Sequence, residues 1–215
     1  RVKVEKYDPE NPRKGMPETL TVAPFRVEDR GRILWPGANT WEKVRDHICD
    51  RVTNHFVQTL RFTVLDRSFL QELYREHGFI DKKTVPLKEK VKLGQMLGAD
   101  YLVVGKIEEL QVEVEQERIE LTGEIVRHPE AELRLQYRIL NVGTGQIAKM
   151  NIVRRELDYF PEDAEHRSDI GEYLVNHVAE AVVQQTMDTI YPVKVVKVAE
   201  TVEGCLLFLN QGGSR

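Results

Sequence analysis

The sequence predicts an α/β fold: a mixed sheet of about five strands with helices packed on it. A parallel β-α-β-α-α-β part continues into an antiparallel meander. Three observations carry this expectation. Tyr101-Leu102-Val103-Val104 is a short unbroken apolar run rich in aromatic and β-branched residues, the pattern of a strand buried on both faces. Ahead of it, short apolar runs alternate with helix-periodic segments, which favours parallel strands joined by right-handed crossovers. Behind it the period becomes two: Leu110, Val112 and Val114 share one face, and Glu109, Gln111, Glu113 and Glu115 the other.

Residues 1–18 read as an extended leader, polar and proline-rich from Tyr7 to Pro17. A first strand is predicted over 19–25, with Leu20, Val22 and Phe25 as apolar positions. The loop over 28–40 contains Gly31, Pro36 and Gly37. Thr40 is placed to cap a long helix starting at Trp41, whose stripe is Trp41, Val44, Ile48, Val52 and Phe56. A second strand follows over 62–65. Asp66 or Ser68 then caps a helix carrying Phe69, Leu70 and Leu73, and Gly78 ends it. Pro86 belongs in the first turn of a third helix with Leu87, Val91 and Leu97. Gly98, without a Cβ, closes that helix in the left-handed conformation.

Past Gly105, a change of phase to Ile119 and Leu121 places a bulge or turn near 115–118. Leu133, Leu135, Tyr137 and Ile139 form the buried face of the next strand. Asn141-Val142-Gly143-Thr144-Gly145 makes a tight hairpin, and a strand over 146–159 returns. After an acidic loop over 161–167, Ser168 or Asp169 caps a last helix with Ile170, Leu174, Val178, Ala181, Val182 and Ile190, which Pro192 stops. The alternation from Val193 to Leu209 reads as the opening of a second, small β domain, cut short. The expected domains are thus 19–191 and a fragment over 192–215.

The chain has 215 residues, and its 35 acidic and 31 basic side chains give a formal charge of −4. The two signs are interleaved, so nothing points to nucleic acid. No apolar stretch reaches the ~20 residues that span a bilayer. The chain opens on Arg-Val-Lys-Val-Glu, without an initiator Met or a signal-like segment, and reads as a processed or truncated product. Cys49 and Cys205 form no C-x-x-C pair and read as small buried hydrophobes, with a disulfide left open.

Chemistry-bearing residues do not gather into a motif. His47, His55, His77, His128, His166 and His177 are scattered, without the i, i+4 pair of H-x-x-x-H metal sites. The glycines of 141–145 join two strands with no helix behind them, so a turn is expected rather than a phosphate loop. Glu108, Glu109, Glu113, Glu115, Glu117, Glu120 and Glu124 alternate with apolar residues and read as a solvated strand face. Asp66 stands at a strand end, where catalytic groups gather in α/β sheets, but capping the next helix explains it as well. No catalytic, cofactor or metal residue is assigned. Trp35 and Trp41 straddle a loop and are the candidate interface anchors, with core packing the competing role for Trp41.

Four stretches together resemble the CsgG family, the curli assembly/transport component, and its relatives the FlgT middle domain, the TolB amino-terminal domain and LpoB. They are residues 20–25 (Leu-Thr-Val-Ala-Pro-Phe), 62–67 (Phe-Thr-Val-Leu-Asp-Arg), 97–107 and 133–147, in the family's order. The resemblance implies a non-enzymatic, periplasmic, outer-membrane-associated assembly or secretion protein, often ring-forming. It implies envelope proteins and further copies of the full-length chain as partners, no cofactor, and any membrane association peripheral, through a segment outside this sequence. The curli channel inserts membrane hairpins between its third and fourth strands and before its last helix. Here the first position holds Glu113, Glu115, Glu117, Arg118, Glu120 and Glu124, and the second is short and acidic, so a pore is not expected. The rival expectation is an enzyme or small-ligand-binding module with a site at the strand ends near Asp29, Asp66 and Asp100.

Overall fold

A computed structural model describes residues 17–27, 33–34, 41–66, 68, 72, 86–159, 167–192, 195–201 and 204–209. In chain order the elements are β1 (Glu18–Val22), β2 (Arg26–Val27), β3 (Ile33–Leu34), α1 (Trp41–Gln58), β4 (Phe62–Val64), α2 (Leu87–Leu97) and β5 (Tyr101–Arg118). Then follow β6 (Ile125–Asn141), β7 (Ile147–Leu157), α3 (Arg167–Ile190), β8 (Val195–Thr201) and β9 (Gly204–Leu209).

The main sheet has the order β4-β1-β5-β6-β7. β1 is parallel to both β4 and β5, whereas β5-β6-β7 is an antiparallel meander, as the sequence predicts. β1, β2 and β3 succeed one another along a single flank of β5, at Tyr101–Val103, Lys106–Ile107 and Leu110–Gln111. They occupy one lane, so the sheet is five lanes wide. β8 and β9 pair with each other in a separate two-stranded sheet.

The strand order decides which face each helix covers. From β1 the chain moves outward to β4, then returns across β1 to β5. Right-handed crossovers in opposite directions put their helices on opposite faces. α1 accordingly packs Val44, Ile48, Val52 and Phe56 on one face, joined there by α3 through Ile170, Leu174, Val178 and Val182. α2 lies on the other face, with Leu93 against Leu102, Val104, Leu140 and Val142. Val103 faces the first layer and Leu102 and Val104 the second, so the Tyr101–Val104 run is buried on both sides.

Local features follow the residue chemistry. Gly98 caps α2 in the left-handed region (φ 70°), and the Ala99 amide reaches back to the Gly94 carbonyl at 3.0 Å. Pro86 sits one residue before α2, as its N-cap. The Asn141 carboxamide oxygen accepts the Thr144 amide at 2.9 Å and closes the β6–β7 turn. Tyr191 follows α3; its hydroxyl donates to the Arg61 carbonyl at 3.2 Å and accepts the Glu18 amide at 3.3 Å, tying α3 to the starts of β1 and β4. On the outer surface of the helix pair, Glu172 of α3 bridges His47 (2.6 Å) and Arg51 of α1.

Inside, Tyr137 is fully buried and donates to Gln185 Oε1 at 2.7 Å, which also accepts Asn151 Nδ2 at 2.6 Å. Burial, with Asp188 nearby, pushes the Tyr137 hydroxyl up to about 12.

Three expectations need correction. The phase of β5 changes at a bulge between Ile107 and Glu109, not near 115–118. The Tyr101–Val104 run is apolar on both faces and so carries no phase, which hides the bulge. The meander's first turn lies over 119–124, past the end of β5 at Arg118, with the Gly123 amide bonded to the Ile119 carbonyl at 2.8 Å. α3 already includes Arg167, so Ser168 and Asp169 belong to its first turn rather than to its cap. Residues 1–16 of the expected leader, Thr40, and the helix expected around Phe69 to Gly78 lie outside the described residues, Ser68 and Glu72 excepted, and Glu18, placed at the leader's end, already belongs to β1.

Candidate functional site

The strand ends come first, since the rival expectation places a site there. Leu20 stands opposite both Val64 and Tyr101. Asp66 follows that level on one flank of β1, and Asp100 precedes it on the other. The separation is about 10 Å along the strands and about 10 Å across them, so the two carboxylates do not converge. Asp100 braces the sheet instead: its Oδ2 accepts the Thr19 amide at 2.8 Å and the Thr19 hydroxyl at 2.7 Å. Asp66 Oδ1 accepts the Ser68 amide, two residues on, at 2.8 Å. Asp29 lies outside the described residues.

An open α/β sheet offers its crevice outside the carboxyl ends of the strands, where the chain leaves to opposite faces. Here that place is a shallow groove of about 320 Å³ between α1 and β4, lined by Asp50, Thr53, Val57, Val64, Asp66 and Ser68 among others. Among the described residues no group of three His, Cys, Asp or Glu side chains is arranged to hold a metal ion. Glu132, whose proton affinity is lowered by its hydrogen bond from Arg154, is engaged on the surface of the meander. Arg154 grips it through Nε at 2.6 Å and a terminal nitrogen at 3.1 Å. The described histidines are likewise engaged or on the surface. His177 Nδ1 lies 2.8 Å from the Tyr173 carbonyl, and His128 lies 3.7 Å from Glu117. Cys49 is buried, and its sulfur accepts the Phe25 amide at 3.4 Å.

Two features suit contact with another protein. Trp41, at the start of α1, is half-buried, with part of its ring packed on the main core. Trp35 lies outside the described residues. The larger feature is the β5–β6 hairpin. β3 ends its pairing at Gln111 and β7 begins its own at Ala131, so the arms from Glu113↔Glu130 to Arg118↔Ile125 pair only with each other among the described residues. A two-stranded ribbon therefore projects past the sheet. Its tip exposes apolar side chains: Leu121 is 97% exposed and Ile125 61%. The sequence reading missed this tip because it took Ile119 and Leu121 for strand residues.

A second missed cluster is basic. Arg26, Lys90, Lys106 and Arg138 meet beside the N-terminus of α2. They come from four elements, so no contiguous motif marks them. The available signal was Lys90 itself, which interrupts the helical stripe of Leu87, Val91 and Gly94.

No helix among the described residues is long and apolar enough to cross a membrane. No curated protein sequence matches the chain. Among solved structures it is similar to the hypothetical protein CT253 of Chlamydia trachomatis, with 11% identity and a TM-score of 0.51, covering 81% of this chain and 98% of that one. It is also similar to XCC0632 of Xanthomonas campestris, with 14% identity and a TM-score of 0.50, covering 80% and 85%. At these identities the likeness shows a shared fold. The lipoprotein GNA1162 of Neisseria meningitidis aligns at 15% identity with a TM-score of 0.43, covering 80% and 99%. The family model for the curli production assembly/transport component CsgG matches residues 13–214, so the β-α-β framework, the meander and the β8–β9 hairpin all fall within it, and the chain belongs to the CsgG family.

Proposed function

We propose that this protein is a non-enzymatic component of bacterial envelope assembly or secretion. It works in the periplasm in association with the outer membrane, as a platform for other envelope proteins and for further copies of itself. The observation that carries this reading is the family match over 13–214. The projecting hairpin supports it, because a ribbon clear of the sheet with an apolar tip offers a partner an anchor without disturbing the core. The Trp35–Trp41 stretch is the second proposed contact.

The test is photocrosslinking in intact cells of the native host, with a photoreactive residue at Leu121 or Trp35 and a control at Leu60, which is 85% exposed between α1 and β4. Capture of a second copy or an identified envelope protein at Leu121 or Trp35, and not at Leu60, is the expected result. Capture of cytosolic proteins only, or none at either position, overturns the reading.

A further inference from the structure

Lys90 is 7% exposed, yet no carboxylate among the described residues pairs with it. Its neighbours are of its own sign. Arg26 from β2 and Arg138 from β6 both act on it, and Lys106 from β5 lines the same cleft. The nearby acids are engaged: Glu108 with Lys106 at 3.3 Å, and Glu89 with Lys92 at 3.2 Å. Lys90 lines the same cleft as Pro86 and Leu87, at the first turn of α2. That turn is capped by Pro86, which has no side chain to accept the leading amides, and the helix dipole adds partial positive charge there. A cleft of about 420 Å³ opens in front of these groups, floored by Val104, Gly105 and Gln136.

A buried ammonium among guanidiniums is costly unless an anion completes the cluster. We propose that this cleft binds a phosphoryl group, presented by a small molecule or by a lipid headgroup. Convergent cations and a helix N-terminus together favour a multiply charged tetrahedral oxyanion over a single carboxylate. The cluster lies on the α2 face of the sheet, apart from the projecting hairpin, and stands independently of the assembly role.

The probes are inorganic phosphate and vesicles, with the full chain as the sample. Phosphate, titrated against chloride at matched ionic strength, is expected to raise the melting temperature saturably and to shift the Leu87 and Lys88 amide resonances. Lys90→Met and Arg138→Gln should each weaken that response at least tenfold. Binding to phosphatidylglycerol vesicles, but not phosphatidylcholine ones, that phosphate displaces identifies a headgroup; phosphate binding without vesicle binding identifies a soluble ligand. A wild-type protein that responds to phosphate no more than to chloride overturns the proposal. So does an undiminished response in Arg138→Gln, the variant that keeps the test open if Lys90→Met fails to fold.

Discussion

The ring of Phe25 occupies the space that a side chain at position 105 would need. A β-carbon on Gly105 would lie 2.7 Å from Phe25 Cδ1 and 2.9 Å from Cε1. Phe25 is buried beside Ile48 and Cys49 in the main core, so the ring cannot retreat cheaply. Gly105→Ala is therefore expected to destabilise the protein by about 1–3 kcal/mol, the usual cost of overpacking. Denaturant titration should show it. The cost should shrink when Phe25→Leu is combined with Gly105→Ala, and a double-mutant cycle without coupling would contradict the contact.

Val103 faces the layer of α1 and α3, fully buried with β1 on one side and β6 on the other. Val103→Asp puts an unpaired carboxylate into that position, a loss most domains of this size cannot absorb. The variant should lack a cooperative thermal transition. A soluble Val103→Asp protein with wild-type circular dichroism would remove β5 from the centre of the sheet.

Thr19 and Asp100 lock β1 to β5 through two bonds to one carboxylate oxygen, and the Asp100 amide returns a bond to the Thr19 hydroxyl at 3.0 Å. Asp100→Ala leaves the part-buried Thr19 amide and hydroxyl without that acceptor, an expected cost of about 1–3 kcal/mol. Asp100→Asn keeps an acceptor and should cost less. Equal melting temperatures for wild type and Asp100→Ala would show that the bracing contributes nothing.

Much of this framework was legible in the sequence. The stripe Val44-Ile48-Val52-Phe56, the cap at Gly98 and the doubly buried Tyr101–Val104 run each follow from one local pattern. What stayed hidden depends on relations between distant residues. The bulge at Glu108 is silent because the run before it has no polar face. The distance between Asp66 and Asp100 depends on strand order, which places β1 between them. The basic cleft forms only when positions 26, 90, 106 and 138 are brought together by three strands and a helix. Lys90, charged on an apolar helix stripe, was the single local conflict pointing there.

Lys90 also makes a prediction about pH. Burial, then Arg26 and Arg138, lowers its pKa from 10.5 to about 8. Below about pH 8 the group is charged in both folded and unfolded chains, and its burial penalty is complete. Between about 8 and 10.5 the folded protein has released the proton while the unfolded chain still holds it, so stability rises with pH, by about 3 kcal/mol at most. Arg26 and Arg138 act on the group and Lys106, itself paired with Glu108, lines the same cleft. In phosphate-free buffer, Lys90→Met should exceed wild type in stability at pH 7, and the gap should narrow by pH 10. A pH-independent gap would mean that Lys90 keeps its ordinary proton affinity.

The hairpin supports the last prediction, that the purified chain alone does not conduct ions through a bilayer. A membrane-crossing ribbon needs one face apolar for about 25 Å, with polar groups confined to the other. Here Glu113, Glu115 and Glu117 stand opposite Glu130, His128 and Val126, while Arg118 stands opposite Ile125 and Gln116 opposite Arg127. These pairings distribute charge over both faces of the ribbon. A basic residue turned to lipid at the midplane costs about 2–4 kcal/mol, and every copy in a ring would bear that cost. The apolar residues are gathered at the tip instead, at Ile119, Leu121 and Ile125, a place suited to docking and too short to span. Planar-bilayer recordings with the detergent-free chain should show no unitary steps. Removing the tip with Leu121→Ser should leave that silence unchanged while abolishing the crosslinks made near it. Reproducible single-channel currents from the wild-type chain would return the ribbon to the membrane.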